Sequence, residues 1–134
     1  MTIKTETIEQ SIKIKASPHE IYEAFMDSKK HSKFTESKAK ISREIGGKFS
    51  IFEGDLEGKN LELIPDKKIV QSWRSNEEGW PKTHYSTITI ELESVENGTL
   101  LIFKHTEVPL SSYKSVKEGW NEYYWEPLKN MFEK

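Results

Sequence analysis

The chain has 134 residues, of which 34% are hydrophobic and 31% are charged, and its net charge is −2. This length suits one domain with a real core, over residues 1–134, and the low apolar content requires each element to bury only one face. The slight negative charge argues against a general nucleic-acid-binding protein, which needs a surplus of basic residues. The absence of cysteine excludes disulfides, thiolate nucleophiles and cysteine-ligated zinc.

The N-terminus and the hydropathy pattern indicate where the protein works. The opening run M-T-I-K-T-E-T-I-E-Q lacks the apolar core of a signal peptide. No apolar stretch approaches the length that crosses a bilayer. We therefore expect a cytoplasmic protein with no membrane partner, and we interpret the sequon Asn97-Gly98-Thr99 as a hairpin turn.

The first predicted elements are a strand followed by one or two short helices. The strand has a period-two pattern, with inward positions at Ile8, Gln10, Ile12 and Ile14. A helix should begin at Ser17-Pro18-His19-Glu20, because Ser17 can cap it, Pro18 suits its first position and Glu20 completes a capping box. A second short helix is expected near Phe34, before a strand around residues 39–42.

The middle of the chain predicts an antiparallel meander. Beyond Gly46-Gly47, turn residues separate three short strands, K-F-S-I-F-E-G-D, G-K-N-L-E-L-I-P-D-K and K-I-V-Q-S-W-R. Residues 77–81 form a loop. A hairpin follows, in which the run from Ser86 to Leu92 turns at Asn97-Gly98 and returns through Leu101, Phe103 and His105.

The C-terminal residues 119–132 give the longest helix signal. Apolar side chains recur at helical spacing at Val116, Trp120, Tyr124, Leu128 and Met131. Burying each stabilises the fold by roughly 1.5–3 kcal/mol, which outweighs the ~3 kcal/mol cost of a proline inside a helix. We therefore expect one long helix, kinked near Tyr123 and Tyr124 because of Pro127. The fold class is α+β, with a curved antiparallel sheet of about six strands packed on this helix.

No motif in the chain specifies an enzyme or a metal site. The four histidines have no metal-binding spacing, and neither a G-x-S-x-G turn nor a phosphate loop occurs. His105 shares a strand face with Leu101 and Phe103. We interpret it first as a core histidine hydrogen-bonded to a neighbour and second as a catalytic or ligand-binding residue. We predict no catalytic residue, no metal and no cofactor.

A set of aromatic residues lies on elements that should meet under the long helix. If the helix stands back from the sheet, they enclose a small-molecule pocket, and if it lies close, they form core. Trp80 belongs to the wider aromatic set. The predicted ligand-binding residues are Phe34, Phe52, Trp73, Tyr85, Phe103, His105, Trp120 and Tyr124.

A basic segment, residues 29–43, carries six positive side chains against Glu36. A solvated surface is the first interpretation of such a run. Steering of an acidic partner is the alternative, because clustered charge raises encounter rates.

Several segments carry a family resemblance. They are G-G-K-F-S-I-F-E-G, G-K-N-L-E-L-I-P-D-K-K-I-V-Q-S-W-R, H-Y-S-T-I-T-I, G-T-L-L-I-F-K-H-T-E-V-P and G-W-N-E-Y-Y-W-E-P-L-K. Together they resemble the C-terminal domain of the activator of the 90 kDa heat-shock protein ATPase, a member of the START-like or SRPBCC superfamily. The resemblance implies the helix-grip fold (START-like, Bet v-like) with a cavity between the sheet and the C-terminal helix.

The resemblance implies a stand-alone domain, since the eukaryotic co-chaperone has a further N-terminal domain that makes its main chaperone contact. Our leading hypothesis is a non-enzymatic module that binds a small hydrophobic or aromatic ligand in the cavity, with a role in the stress response. The alternative is an interaction module that contacts a heat-shock chaperone or a client protein and modulates the ATPase of the chaperone. It would use the sheet edge, the loop of residues 77–81 or the basic segment. A third hypothesis, an enzyme acting on a cyclic hydrophobic substrate, rests on superfamily membership alone.

Overall fold

The structure is a computed structural model that describes residues 3–132 of the chain. Its strands are β1 (Thr5–Ile14), β2 (Ala39–Ile41), β3 (Lys48–Ile51), β4 (Leu56–Ile64), β5 (Lys68–Ser75), β6 (Ser86–Val95) and β7 (Gly98–Pro109). Its helices are α1 (Pro18–Met26), α2 (Ser28–Thr35), α3 (Tyr113–Trp120) and α4 (Glu126–Phe132). A 3₁₀ turn, Leu110–Ser112, precedes α3, and a π-helical turn, Asn121–Trp125, joins α3 to α4.

The strands form one antiparallel sheet in the order β1-β7-β6-β5-β4-β3-β2. Strands β2 to β7 follow chain order, as a meander does, and β1 closes the far side by pairing with β7. The C-terminal helical segment packs on the inner face of this curved sheet. The α+β helix-grip prediction is confirmed, and the sheet has seven strands where about six were expected.

Local sequence signals explain where the first two helices begin. The Ser17 hydroxyl accepts a hydrogen bond from the Glu20 N–H at 3.1 Å, and Pro18 is the first residue of α1. The Asp27 carboxylate caps α2 by accepting from the Lys30 N–H at 3.0 Å. These short helices fill the connection between β1 and β2, and they place Phe34 against the C-terminal helix.

The sequence predicted a kink near Tyr123 and Tyr124, and the structure has a π-helical turn at those residues. The Glu126 N–H donates to the carbonyl of Asn121, five residues earlier. The widened turn directs two consecutive side chains inward, Tyr124 and Trp125, which are 4% and 2% exposed. The α-helical spacing had predicted Tyr124 but not Trp125, and it had predicted a more deeply buried Met131 than the half-buried one observed.

Candidate functional site

A cavity of about 380 Å³ lies between the C-terminal helix and the ends of strands β3, β4 and β5. Its apolar walls are Phe52, Leu56, Trp73, Val116, Trp120 and Tyr124. Its remaining lining residues are Asp55, Ser75, Glu77, Ser115, Gly119 and Tyr123, of which Tyr123 is 51% exposed. This size and this mixture of apolar walls with a few polar groups are typical of small-molecule sites.

The structure places seven of the eight predicted ligand-binding residues under the helix, in two groups. Phe52, Trp73, Trp120 and Tyr124 line the cavity. Phe34, Phe103 and His105 lie behind those walls in the packed core: the Phe103 ring is 4.5 Å from that of Trp120, and the Phe34 ring is 5.7 Å from that of Tyr124. The helix therefore packs closely on the sheet at one end and stands back from it at the other.

Tyr85 is placed on the opposite face of the sheet. Its side chain is 42% exposed, and its hydroxyl donates to the Glu57 carboxylate at 2.6 Å. This hydrogen bond raises the pKa of Tyr85. The next residue, Ser86, points inward, so the alternation of the strand turns Tyr85 away from the cavity. The sequence-based placement of Tyr85 beside the other aromatic residues is thus corrected by the register of β6.

Trp80, in the loop after β5, is buried behind the cavity wall. Its ring meets that of Trp73 edge-on at 5.5 Å, and its indole N–H donates to the His84 carbonyl at 2.9 Å. Trp80 therefore supports Trp73 without reaching the cavity.

His105 holds the helix wall of the cavity through a buried chain of hydrogen bonds. The indole N–H of Trp120 donates to Nδ1 of His105 at 3.0 Å. Since Nδ1 accepts, the ring hydrogen lies on Nε2, which donates to the Ser86 hydroxyl at 2.7 Å, and Ser86 donates to the Trp73 carbonyl at 2.9 Å. Burial lowers the pKa of His105 to about 3. An imidazole with both nitrogens engaged has no free lone pair for proton transfer, so the geometry fits the core interpretation of His105.

A second buried histidine, His31 in α2, holds Tyr124 in a similar way. Its Nδ1 donates to the Phe25 carbonyl at 3.0 Å, so its Nε2 is the acceptor for the Tyr124 hydroxyl, at 2.9 Å. Burial lowers the pKa of His31 to about 4 and raises the pKa of Tyr124 far above its ordinary value. Sequence reasoning missed His31 because it lies among lysines, although its spacing to Phe34 and Thr35 matches the buried side of a helix.

The turn between β3 and β4 shapes the mouth of the cavity with a strained backbone. Phe52, Glu53 and Gly54 have φ values of +55°, +57° and +94°. Left-handed conformations are unfavourable for a phenylalanine, and such strain is often found at functional sites. Here it places the Phe52 ring 6.0 Å from that of Tyr123 and 6.5 Å from that of Tyr124 across the mouth.

Within residues 3–132, no group of three or more histidine, aspartate or glutamate side chains is placed to hold a metal ion. In the same range, no helix is both long enough and apolar enough to cross a membrane.

Comparison with known proteins identifies the family. Residues 15–133 match the family model described as Activator of Hsp90 ATPase homolog 1-like protein. The chain belongs to this family. The human protein named Activator of 90 kDa heat shock protein ATPase homolog 1 is 32% identical over 116 residues, which are 87% of this chain and 34% of that protein. A Dictyostelium discoideum homologue is 32% identical over 130 residues, 96% of this chain and 33% of its own.

The chain thus spans about a third of the length of the curated relatives it matches. Solved structures of the activator type cover it almost completely. An HSP90 activator from Plasmodium falciparum has a TM-score of 0.87 at 28% identity, over 93% of this chain and 94% of that one. An Aha1 protein from Colwellia psychrerythraea, solved as a dimer, has a TM-score of 0.81 at 26% identity, over 96% of each chain.

A second candidate surface of this activator-family chain lies on the outer face of the sheet. We call it the lysine groove; it is lined by Lys40, Lys48 and Lys59, together with Ser50, Glu57, Ser72 and Tyr85. Lys48 and Lys59 are direct cross-strand partners in the β3–β4 register. The carboxylate in the groove, that of Glu57, already accepts a hydrogen bond from the Tyr85 hydroxyl. The groove therefore presents a positive surface, to which the basic segment contributes Lys40.

Proposed function

We propose that the protein is an interaction module that contacts a chaperone of the Hsp90 class and modulates its ATPase. The observation that carries the proposal is the match of most of this chain to proteins named as activators of the 90 kDa heat-shock protein ATPase. Because the chain spans about a third of those relatives, the activity proposed is that of this region by itself. A cytoplasmic location and a place in the stress response go with the proposal.

The lysine groove is the surface we propose for the chaperone contact. Like charges directly opposite each other on neighbouring strands destabilise a sheet, and Lys48 faces Lys59 in that way. An acidic segment of the partner would relieve this repulsion and accept hydrogen bonds from the lysine ammonium groups. Such complementarity mainly speeds association, so the contact should weaken as salt is added.

The test is the ATPase rate of an Hsp90-class chaperone from the same organism, measured against increasing concentrations of this protein. We expect a saturable rise in rate. The double variant Lys48→Glu/Lys59→Glu should require about tenfold more protein for half-maximal effect, since charge reversal turns attraction into repulsion. The matched control is Lys13→Glu/Lys15→Glu, which makes the same change of charge at exposed residues of the β1 region.

An unchanged ATPase rate at saturating concentration would reject direct activation by this chain. If both double variants reach the normal maximal ATPase rate and have the same half-maximal concentration, the protein activates the chaperone but the lysine groove is not the contact surface.

The second candidate function is the binding of a small hydrophobic ligand in the cavity, and the cavity itself favours it. Gly119 supports this proposal because it lies inside α3, where glycine costs about 0.5–1 kcal/mol relative to alanine. A Cβ atom built on Gly119 meets only Tyr123 Cδ2, at 3.8 Å, so packing does not demand glycine there. A residue without a side chain at this position keeps the cavity large.

Native mass spectrometry of protein purified gently from its own source tests the second candidate. We expect a reproducible added mass of small-molecule size that is released on unfolding. A Gly119→Leu variant, which fills the cavity, should lose that mass. If the added mass is retained by the variant, the ligand lies elsewhere.

A further inference from the structure

We propose that the cavity beneath the C-terminal helix selects a small organic cation, that is, an ammonium group carried on an apolar body. This inference rests on the ligand-binding role proposed above, and it adds the charge and the chemical class of the ligand. Two features of the cavity carry it: the sign of the charges on its rim, and the aromatic surfaces of its walls.

The charged residues that line the cavity are both acidic. Asp55 precedes β4, and Glu77 follows β5. Asn76 ties their loops together, since its side-chain amide donates to the Asp55 carboxylate at 3.0 Å and its backbone N–H donates to the Asp55 carbonyl at 2.9 Å. The two carboxylates are therefore held on one side of the rim. A cleft lined by charge of one sign focuses the field and raises the local concentration of the opposite charge.

Neutral groups orient these carboxylates without neutralising them. The two oxygens of Glu77 accept hydrogen bonds from the Ser115 hydroxyl at 2.8 Å and from the Ser75 hydroxyl at 3.2 Å. These bonds span from β5 to α3 and fix the Glu77 side chain. The ion pairs formed within residues 3–132 are Arg43–Glu23 and Lys68–Glu62, and His19 contacts Asp66; none of these contacts includes Asp55 or Glu77. A cation in the cavity would thus find two anchored negative charges.

The aromatic walls suit the same ligand. Phe52, Tyr123, Tyr124 and Trp120 offer ring faces and edges around the mouth, and Trp73 lies deeper in the cavity. Aromatic faces attract ammonium groups through the ring quadrupole, most strongly where water is excluded. The apolar body of the ligand would contact Leu56 and Val116 on the walls. A neutral ligand would gain no charge–charge attraction from Asp55 and Glu77, and an anionic ligand would be repelled by them.

Three probes of equal length separate these possibilities: 4-phenylbutylammonium, 4-phenyl-1-butanol and 4-phenylbutanoate. The readout is the indole N–H signals of Trp73 and Trp120 in ¹⁵N-labelled protein, since both side chains line the cavity. We expect the ammonium to bind about three- to tenfold more tightly than the alcohol, and the carboxylate to bind most weakly. Raising the salt from about 50 to about 300 mM should narrow the difference between the ammonium and the alcohol.

Isosteric variants identify the source of the selectivity. Glu77→Gln and Asp55→Asn should each weaken ammonium binding by about threefold and leave alcohol binding unchanged. The matched control is Glu93→Gln, which removes one negative charge from an exposed position on the outer face of β6. It should change neither the ammonium affinity nor the alcohol affinity. The ¹H–¹⁵N spectrum of each variant reports whether the fold is intact.

The outcomes distinguish a failure of the cation selectivity from a failure of the ligand-binding function on which it rests. Equal binding of the three probes, or a preference for the alcohol or the carboxylate, would overturn the cation selectivity and retain a ligand-binding cavity. Ammonium selectivity that survives in both Glu77→Gln and Asp55→Asn would overturn the assigned residues. A lack of binding by all three probes would overturn the ligand-binding role together with the inference.

Discussion

Replacing Gly119 by alanine should stabilise the protein while leaving the cavity open. Gly119 lies in α3 one residue before its end, and its backbone has no left-handed φ that would require glycine. The added methyl group meets Tyr123 Cδ2 at 3.8 Å, an ordinary van der Waals distance. The expected gain is the difference in helix propensity, about 0.5–1 kcal/mol.

Chemical and thermal unfolding measure this effect. For a chain of this length, a gain of about 1 kcal/mol raises the Tm by roughly 3–5 °C, and the midpoint of urea unfolding should rise without a change in slope. A decrease of more than about 0.5 kcal/mol in the free energy of unfolding would show that the added methyl group clashes with packed atoms. That result would refute the open cavity next to Gly119.

Gly119→Leu extends the same reasoning to binding. The larger side chain should fill the space between α3 and the sheet, so the affinity for 4-phenylbutylammonium should fall at least about tenfold. Gly119→Ala is the matched control and should retain most of that affinity. Wild-type affinity in the leucine variant would place the probe outside the cavity.

Two further predictions concern the buried histidines. The pKa values of His31 and His105 in the folded protein are lowered to about 4 and about 3, so the unfolded chain binds protons first as the pH drops. The free energy of unfolding should therefore keep its full value above about pH 6.5. Between about pH 6.5 and 4 it should fall by about 1.4 kcal/mol per pH unit for each histidine. Urea unfolding across this range should show a shallower pH dependence for His31→Gln, and an unchanged dependence would contradict the buried neutral state. Tyr124→Phe leaves Nε2 of His31 without its hydrogen-bond donor and should lower the free energy of unfolding by about 1–3 kcal/mol. Tyr123→Phe changes an exposed side chain and should stay within about 0.5 kcal/mol of wild type. Equal effects of the two variants in urea unfolding would count against the His31–Tyr124 hydrogen bond.

Much of the fold follows from local patterns in the sequence. The Ser17-Pro18 helix start, the hairpin at Asn97-Gly98 and the inward face of the C-terminal helix were all predicted, and the structure contains each of them. Capping, turn chemistry and side-chain periodicity act over a few residues, so a single sequence displays them directly. Family resemblance in the later segments indicated the helix-grip architecture.

The candidate site was predictable as a set of residues but not as a geometry. Residue types and the apolar sides of the elements predicted that Phe52, Trp73, Trp120 and Tyr124 would meet under the helix, and these four side chains line the cavity. Tyr85 was misplaced although the pattern already indicated its side: it directly precedes the inward residue Ser86, and consecutive side chains of an extended segment lie on opposite faces of the sheet. The sequence could not distinguish Asp55 and Glu77 from the other acidic residues among its 22. The structure does, because the hydrogen bond from Asn76 to Asp55 joins their two loops.

The sequence by itself determined which side of each element is apolar, because that depends on the period of the pattern alone. Only the tertiary structure decided where those sides touch and where they leave space. At one end of the helix, Trp125, turned inward by the π-helical turn, packs 5.0 Å from Phe103 and closes the gap. At the other end, Gly119 and the strained turn at Phe52 leave the gap open. The separation of two packed elements depends on side chains from both of them at once, so no local pattern contains it.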